Sequence, residues 1–224
     1  MSRARPRILV VLGHPRSDSL CAGLAEAYAA GARAEGAEVT VLHLGETDFD
    51  LASREPSLLR WLGSDQVPAR EPEVEQMIDD VRDADHLVLI FPQWWGTYPA
   101  LLKGYIDRVF LSRFAFAYRE GSARWDRRLS GRTARVLMTM DSPLLWDTVR
   151  YRRAAVNSLT HAVLGYCGVR TVGVTRFPRV RFSTDQKRAA WLARAEQMGR
   201  RDARRAPRTR QLDAARATAA APTG

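Results

Sequence analysis

The chain has 224 residues, 46% of them hydrophobic, with a formal net charge of +10. That is enough for one α/β domain with a full core plus extensions. No apolar run approaches the ~20 residues of a membrane span, and two cysteines make neither a disulfide framework nor a metal cluster. The charge sits at the ends. Residues 200–224 hold seven Arg against two Asp, for +5, and residues 1–7 hold three Arg, leaving +2 for residues 8–199. This distribution describes solvated termini, so a nucleic-acid module is not expected. The basic start is interrupted at Gly13-His14-Pro15, too early for a signal peptide, and a reducing cytoplasm is the default location.

Ile8–Leu12 reads as a strand buried on both faces. Gly13–Ser19 punctuates it, and Leu20, Leu24, Ala27, Tyr28 and Ala32 then share one helical face. Ser17, Asp18 or Ser19 is placed to cap that helix, which ends at Glu35-Gly36. Val39–Leu44 is a second strand, parallel to the first through a right-handed crossover. Residues 45–72 are polar and irregular, with a short helix expected around Ser57–Leu62. Glu73–Arg82 is a helix with Val74, Met77, Ile78 and Val81 inward, and it leads to a third strand, His86–Phe91.

The loop Pro92-Gln93-Trp94-Trp95-Gly96-Thr97-Tyr98 follows, then a helix over 99–110. Ala134–Thr139 is the fourth strand. The loop 140–146 leads to a helix over Arg150–Tyr166, closed by Cys167-Gly168. Val169–Thr175 is the fifth strand, and Ser183–Gln186 has the form of a capping box opening a last helix to about Gly199. Five strands alternating with helices predict a doubly wound α/β domain over 1–199, flavodoxin-like in order 2-1-3-4-5, with 200–224 as a flexible basic tail.

In that order the loops after strands one and three flank the point where the chain reverses direction, where open α/β sheets bind ligands. Ser17 and Ser19 supply hydroxyls at a helix N-terminus, and His14 and Arg16 a donor or charge, a pattern suited to an anion. The same residues also read simply as helix caps. Trp94 and Trp95 suit a flat ligand; the alternative is that they and Tyr98 fill a core or dimer interface. There is no Gly-x-Gly-x-x-Gly or Walker pattern, no Gly-x-Ser-x-Gly elbow and no His-x-x-x-His spacing. His43, His86 and His161 read as structural residues. Cys21 lies in a first helical turn, where a thiol pKa can fall, but an ordinary buried cysteine is the commoner reading. No metal ligands and no catalytic side chain are assigned.

Three segments carry a family resemblance: Ile8–Leu20; Ala84–Phe110 with Phe114–Tyr118; and Tyr166–Val169. The most specific is Pro92-x-x-Trp95-x-x-x-Pro99-Ala100-x-x-Lys103-Gly104 after a buried strand. On these residues the chain resembles the NAD(P)H:quinone oxidoreductases, flavoproteins of flavodoxin-like fold. The resemblance implies a flavin, FMN or alternatively FAD. His14, Ser17, Ser19, Leu20 and Cys21 would hold its phosphate and ribityl chain. Pro92, Gln93, Trp94, Trp95 and Gly96 would wrap the ring, and Thr139, Asp141 and Ser142 would touch its opposite edge. Phe116, Ala117 and Tyr118 would line the nicotinamide and acceptor pocket of a homodimer. It also implies ping-pong transfer of hydride from NAD(P)H through flavin N5 to a quinone or other flat aromatic. An electron carrier without its own substrate pocket and a catalytically silent ancillary subunit are the alternatives. The chain departs from the better-known members at Thr139-Met140-Asp141-Ser142-Pro143, where they have Thr-Gly-Gly, and lacks counterparts of their Tyr and His relay.

Overall fold

The computed structural model describes residues 5–53, 55, 58 and 70–206. The helix expected around Ser57–Leu62 and residues 207–224 of the expected tail lie outside them. Five parallel strands, β1 (Arg7–Leu12), β2 (Glu38–His43), β3 (His86–Pro92), β6 (Thr133–Thr139) and β7 (Arg170–Phe177), form one sheet in the order β2-β1-β3-β6-β7. This is the predicted order. Between β3 and β6 a small antiparallel hairpin, β4 (Phe116–Tyr118) with β5 (Trp125–Arg127), was not anticipated; its strands are too short for alternation to register.

Each central strand is buried on both sides, so its residues divide between two cores. Leu9, Val11, Leu87, Leu89, Phe91, Val136 and Met138 face one side, against α2 (Pro72–Asp83) and α3 (Ala100–Val109). Ile8, Val10, Leu12, Val88, Ile90 and Leu137 face the other, against α1 (Leu20–Ala34) and α6 (Asp185–Arg205). Those last two helices meet through two glycines. A Cβ on Gly31 would fall 2.0 Å from the Glu196 carbonyl oxygen, and one on Gly199 would fall 2.0 Å from that of Tyr28. Only hydrogen fits at that crossing.

Three element boundaries correct the sequence reading. The single helix expected over Arg150–Tyr166 is instead α4 (Leu144–Val149), a break, and α5 (Ala154–Asn157), which continues in wider turns through Ser158–Gly165. Arg152 and Arg153 both hold positive φ at the break (51° and 55°), and Arg153 N donates to the Asp147 carbonyl oxygen at 2.9 Å. The last helix is capped by Thr184, whose hydroxyl accepts from Lys187 N, and not by Ser183. Ser183 Oγ is occupied with the Val180 carbonyl oxygen at 2.6 Å and with Arg188 Nε at 2.9 Å.

That helix also runs to Arg205, past the expected end at Gly199. Asp202 is buried there. Its carboxylate accepts from Arg135 Nη2 at 2.8 Å, from Arg135 Nε and from Tyr28 Oη at 2.8 Å, so β6 and α1 hold the final turns in place. Burial raises the Asp202 pKa, but the Arg135 guanidinium and the nearby His86 ring outweigh it and hold the carboxyl well below the usual carboxylate range. No helix among the described residues is long and apolar enough to cross a membrane.

Candidate functional site

Three loops meet at the carboxyl ends of β1, β3 and β6. Between them lies a cleft of about 230 Å³ lined by His14, Ser19, Leu20, Cys21, Pro92, Gln93, Trp94, Thr139 and Asp141, with Met140 and Val180. Nine sequence-predicted residues are therefore brought together. Ser17 is exposed outside the lining, and Trp95, Gly96 and Ser142 stand at the periphery.

Ser19 is the N-cap of α1, its hydroxyl accepting from Ala22 N at 3.2 Å. The first-turn N–H groups of a helix have no partner within the helix, and here Leu20 and Cys21 present that turn to the cleft. His14 Nδ1 accepts from Arg16 N at 3.0 Å. Its pKa is lowered, chiefly by burial. A neutral ring that accepts at Nδ1 carries its proton on Nε2, which makes His14 a donor. Arg16 is turned outward and paired with Asp18. The Cys21 thiol lies 3.2 Å from Thr139 Oγ1, and burial pushes it up to about 12, the opposite of an activated thiol.

The second loop is a tight turn. Trp94 and Thr97 exchange both backbone hydrogen bonds (2.8 and 2.9 Å), with Trp95 and Gly96 at φ 52° and 77° between them. Positive φ at both central residues defines the primed turn class. Gly96 takes that conformation without steric cost, whereas a bulky residue at φ 52° is an outlier. The three aromatics of the loop separate. Tyr98 is buried against Phe91, with its hydroxyl 3.1 Å from Ser158 Oγ. Trp94 is half-exposed and meets the His14 ring edge-on at 5.7 Å. Trp95 is wholly exposed, at 101%. A Cβ on Gly96 would contact the Tyr151 ring at 3.6 Å, and Tyr151 meets Trp146 edge-on. Trp95, Leu145, Trp146 and Val149 thus leave an apolar surface beside the cleft.

Sequence reasoning missed Asp147 and Arg176, which together with Gln93 and Ser142 hold the loops in place. Gln93 N donates to the Thr139 carbonyl oxygen at 2.7 Å, and its side chain bridges Ser142 Oγ (3.0 Å) and Asp147 Oδ1 (2.5 Å). Asp147 is fully buried and receives Arg176 Nη1 at 2.7 Å. Its position in a short helix whose apolar residues are exposed carried no signal, and its partners arrive only through the sheet order. Asp141 is anchored as well, accepting from Arg181 N at 2.7 Å.

Phe116, Ala117 and Tyr118 are not in the cleft lining. They form one strand of the β4–β5 hairpin. Phe116 packs on Tyr166 at 5.0 Å, Tyr166 stacks on Trp125 at 4.5 Å, and the Tyr166 and Tyr118 hydroxyls lie 3.2 Å apart. Ala117 is buried and Tyr118 exposed.

A protein-family model described as flavodoxin-like fold matches residues 6–200. An uncharacterized NAD(P)H oxidoreductase, YcaK, of Escherichia coli strain K12 is 38% identical over 110 residues, 49% of this chain and 55% of that protein. An FMN-dependent NADH:quinone oxidoreductase of Parafrankia sp. strain EAN1pec is 30% identical over 131 residues, 53% of this chain and 57% of that protein. The chain thus spans little more than half the length of these curated relatives. Among solved structures, an NAD(P)H:quinone oxidoreductase from Methanothermobacter marburgensis superposes with a TM-score of 0.71 at 25% identity, covering 88% of this chain and 96% of that one.

Proposed function

The chain belongs to the flavodoxin-like fold family, and from that premise we propose that it is an FMN-dependent NAD(P)H oxidoreductase reducing a quinone or other flat aromatic acceptor. The cleft between β1 and β3 carries this reading. It lies at the topological switch point, and its donor set fits a flavin. Ser19 Oγ and the first-turn N–H groups of α1 suit one phosphate. Similarity to an FMN-dependent NADH:quinone oxidoreductase favours FMN over FAD. Held by Ser19, the first turn of α1 and the 94–97 turn, a flavin would supply the redox chemistry, hydride transfer from NAD(P)H to the acceptor through N5 in a ping-pong cycle.

The chain supplies position and polarity. His14 donates from Nε2 at the rim. The Trp94–Thr97 turn leaves the N–H groups of Trp95 and Gly96 outside its own pair of hydrogen bonds, available to a ligand's polar edge. Gln93, locked by Ser142 and Asp147, fixes the distance between the β3 and β6 loops. Trp94 and Trp95 offer flat faces that favour planar acceptors.

One copy does not complete the pocket. Its roughly 230 Å³ falls below the roughly 300–1,000 Å³ of ordinary small-molecule sites. Trp95, Leu145, Trp146 and Val149 stand exposed alongside. Burial of that surface by a second copy would deepen the cleft, so the working form is a homodimer, with Phe116, Ala117 and Tyr118 reserved for the acceptor pocket across it. Two free, buried thiols accord with a reducing cytoplasm.

The test is reconstitution with FMN, a visible spectrum, and anaerobic addition of NADPH. A flavin band that bleaches on addition and returns with a quinone is the expected result. No flavin band after reconstitution would overturn the reading. A band that NADPH leaves unbleached would favour an electron carrier. Light scattering should give twice the chain mass.

A further inference from the structure

At the opposite end of the sheet, below the amino ends of β3, β6 and β7, lies a cavity of about 380 Å³, larger than the cleft. We propose that it is a second ligand site, built for a phosphate dianion, either free or as a phosphomonoester.

The charge of its lining is one-sided. Arg135, Arg170, Arg201 and Arg205 contribute four guanidinium groups, and Asp202 is the one carboxylate among the lining residues. That carboxylate is already engaged by Nε and Nη2 of Arg135 and by Tyr28. Arg170, Arg201 and Arg205 have exposed side chains without an acidic partner among the described residues. Cations in the last turn of a helix are ordinary, because they complement its dipole. That accounts for Arg201 and Arg205. It does not account for Arg170, which opens a strand.

The floor of the cavity supplies the second observation. His86 is 1% exposed and lines it. Its Nδ1 is 2.7 Å from Thr133 Oγ1, and its Nε2, without a hydrogen bond of normal length, faces the Asp202 carboxylate at 3.5 Å. Thr171 Oγ1, in the same lining, is buried without a partner. Buried polar atoms are normally paired, and each exception requires a reason. Thr171 Oγ1 is such an exception, and Arg170, Arg201 and Arg205 in the same lining have no acidic partner among the described residues, so a ligand rich in acceptor oxygens would serve them together. A planar carboxylate is served by one guanidinium fork. Arginines arriving from two elements suit a tetrahedral group with three or four oxygens.

The site is independent of the flavin reading, and its test keeps the two apart. Inorganic phosphate is titrated calorimetrically into the full-length protein loaded with one equivalent of FMN, free flavin removed and ionic strength held by chloride. A second arm uses 5′-AMP. We expect one saturable event per chain, weakened at least about tenfold by Arg170→Gln combined with Arg201→Gln, both surface positions. Tighter binding of 5′-AMP than of phosphate identifies a phosphomonoester site; equal binding identifies a site for free phosphate. Absence of saturable binding overturns the proposal, as does binding that the double variant leaves unchanged. So does saturation by heparin where phosphate gives none, which would mark the surface as one for an extended polyanion.

Discussion

Two buried aspartates, each held by an arginine, sit at opposite ends of the same sheet. Asp147 lies at the carboxyl end, fully buried, bound to Gln93 and Arg176. Asp202 lies at the amino end, 4% exposed, bound to Arg135 and Tyr28. Their partners differ in kind. Asp147 joins one loop residue to one strand end, so it sets the spacing of the cleft walls. Asp202 joins the last helix to a central strand and to the first helix, so it closes the fold. One chemical device therefore serves geometry at one end and cohesion at the other.

The largest expected effect is at the cohesive end. Asp202→Ala leaves Arg135 uncompensated in a buried place and should cost about 3–5 kcal/mol, read by chemical denaturation. The same contact sets an acid limit. The folded pKa of Asp202 is depressed, so its contribution is fully present above the unfolded value of about 3.9. It is lost progressively as pH falls toward the folded pKa. Stability measured downward from pH 5 should fall in the parent and fall less steeply in Asp202→Ala. Equal slopes would remove this aspartate from the acid response.

Next comes the glycine crossing. Gly31→Ala forces a methyl onto the Glu196 carbonyl and should cost about 1–3 kcal/mol without altering flavin affinity. A flavin affinity that fell in step would mean the two ends are not separable. Asp147→Asn should reverse that pattern. Its loss of stability should be smaller than that of Asp202→Ala, while FMN affinity drops about tenfold, about 1.4 kcal/mol, because Gln93 loses its anchor. Unchanged affinity would reduce Asp147 to a second structural clasp. The smallest effect is expected at Trp95→Gly. Relief of positive φ should stabilise the flavin-free protein by up to about 1 kcal/mol, with slower acceptor turnover. Destabilisation would show that the exposed indole packs in solution.

The strands and the two loops flanking the switch point were legible because their signals are local. Ile8–Leu12 and His86–Phe91 are unbroken apolar runs, and Ser19 and the Trp-Trp-Gly turn are chemical punctuation. What escaped was set at long range. Nothing in 150–153 marks a helix break, since neither Pro nor Gly stands there; the chain bends around a buried Asp147 whose partners are Gln93 and Arg176. Composition likewise concealed the end of α6. An Arg-rich stretch resembles a solvated tail until Arg135, 67 positions earlier, is found to need the carboxylate it carries. The β4–β5 hairpin takes the aromatics of 116–118 away from the cleft lining, a placement that spacing alone does not encode.

The bond from Tyr28 to Asp202 joins residues 174 positions apart. During synthesis at roughly 5–20 residues per second, the sheet's first strands emerge and pair while Arg135 still waits for its counter-charge. The nascent domain carries an open flank along α1 until the last helix has left the ribosome. A chain stopped before Asp202 would leave Arg135 and Tyr28 without their carboxylate, whereas one stopped just after Ala206 would retain every contact described for α6. Completion of the domain is thus timed by its final helical turns.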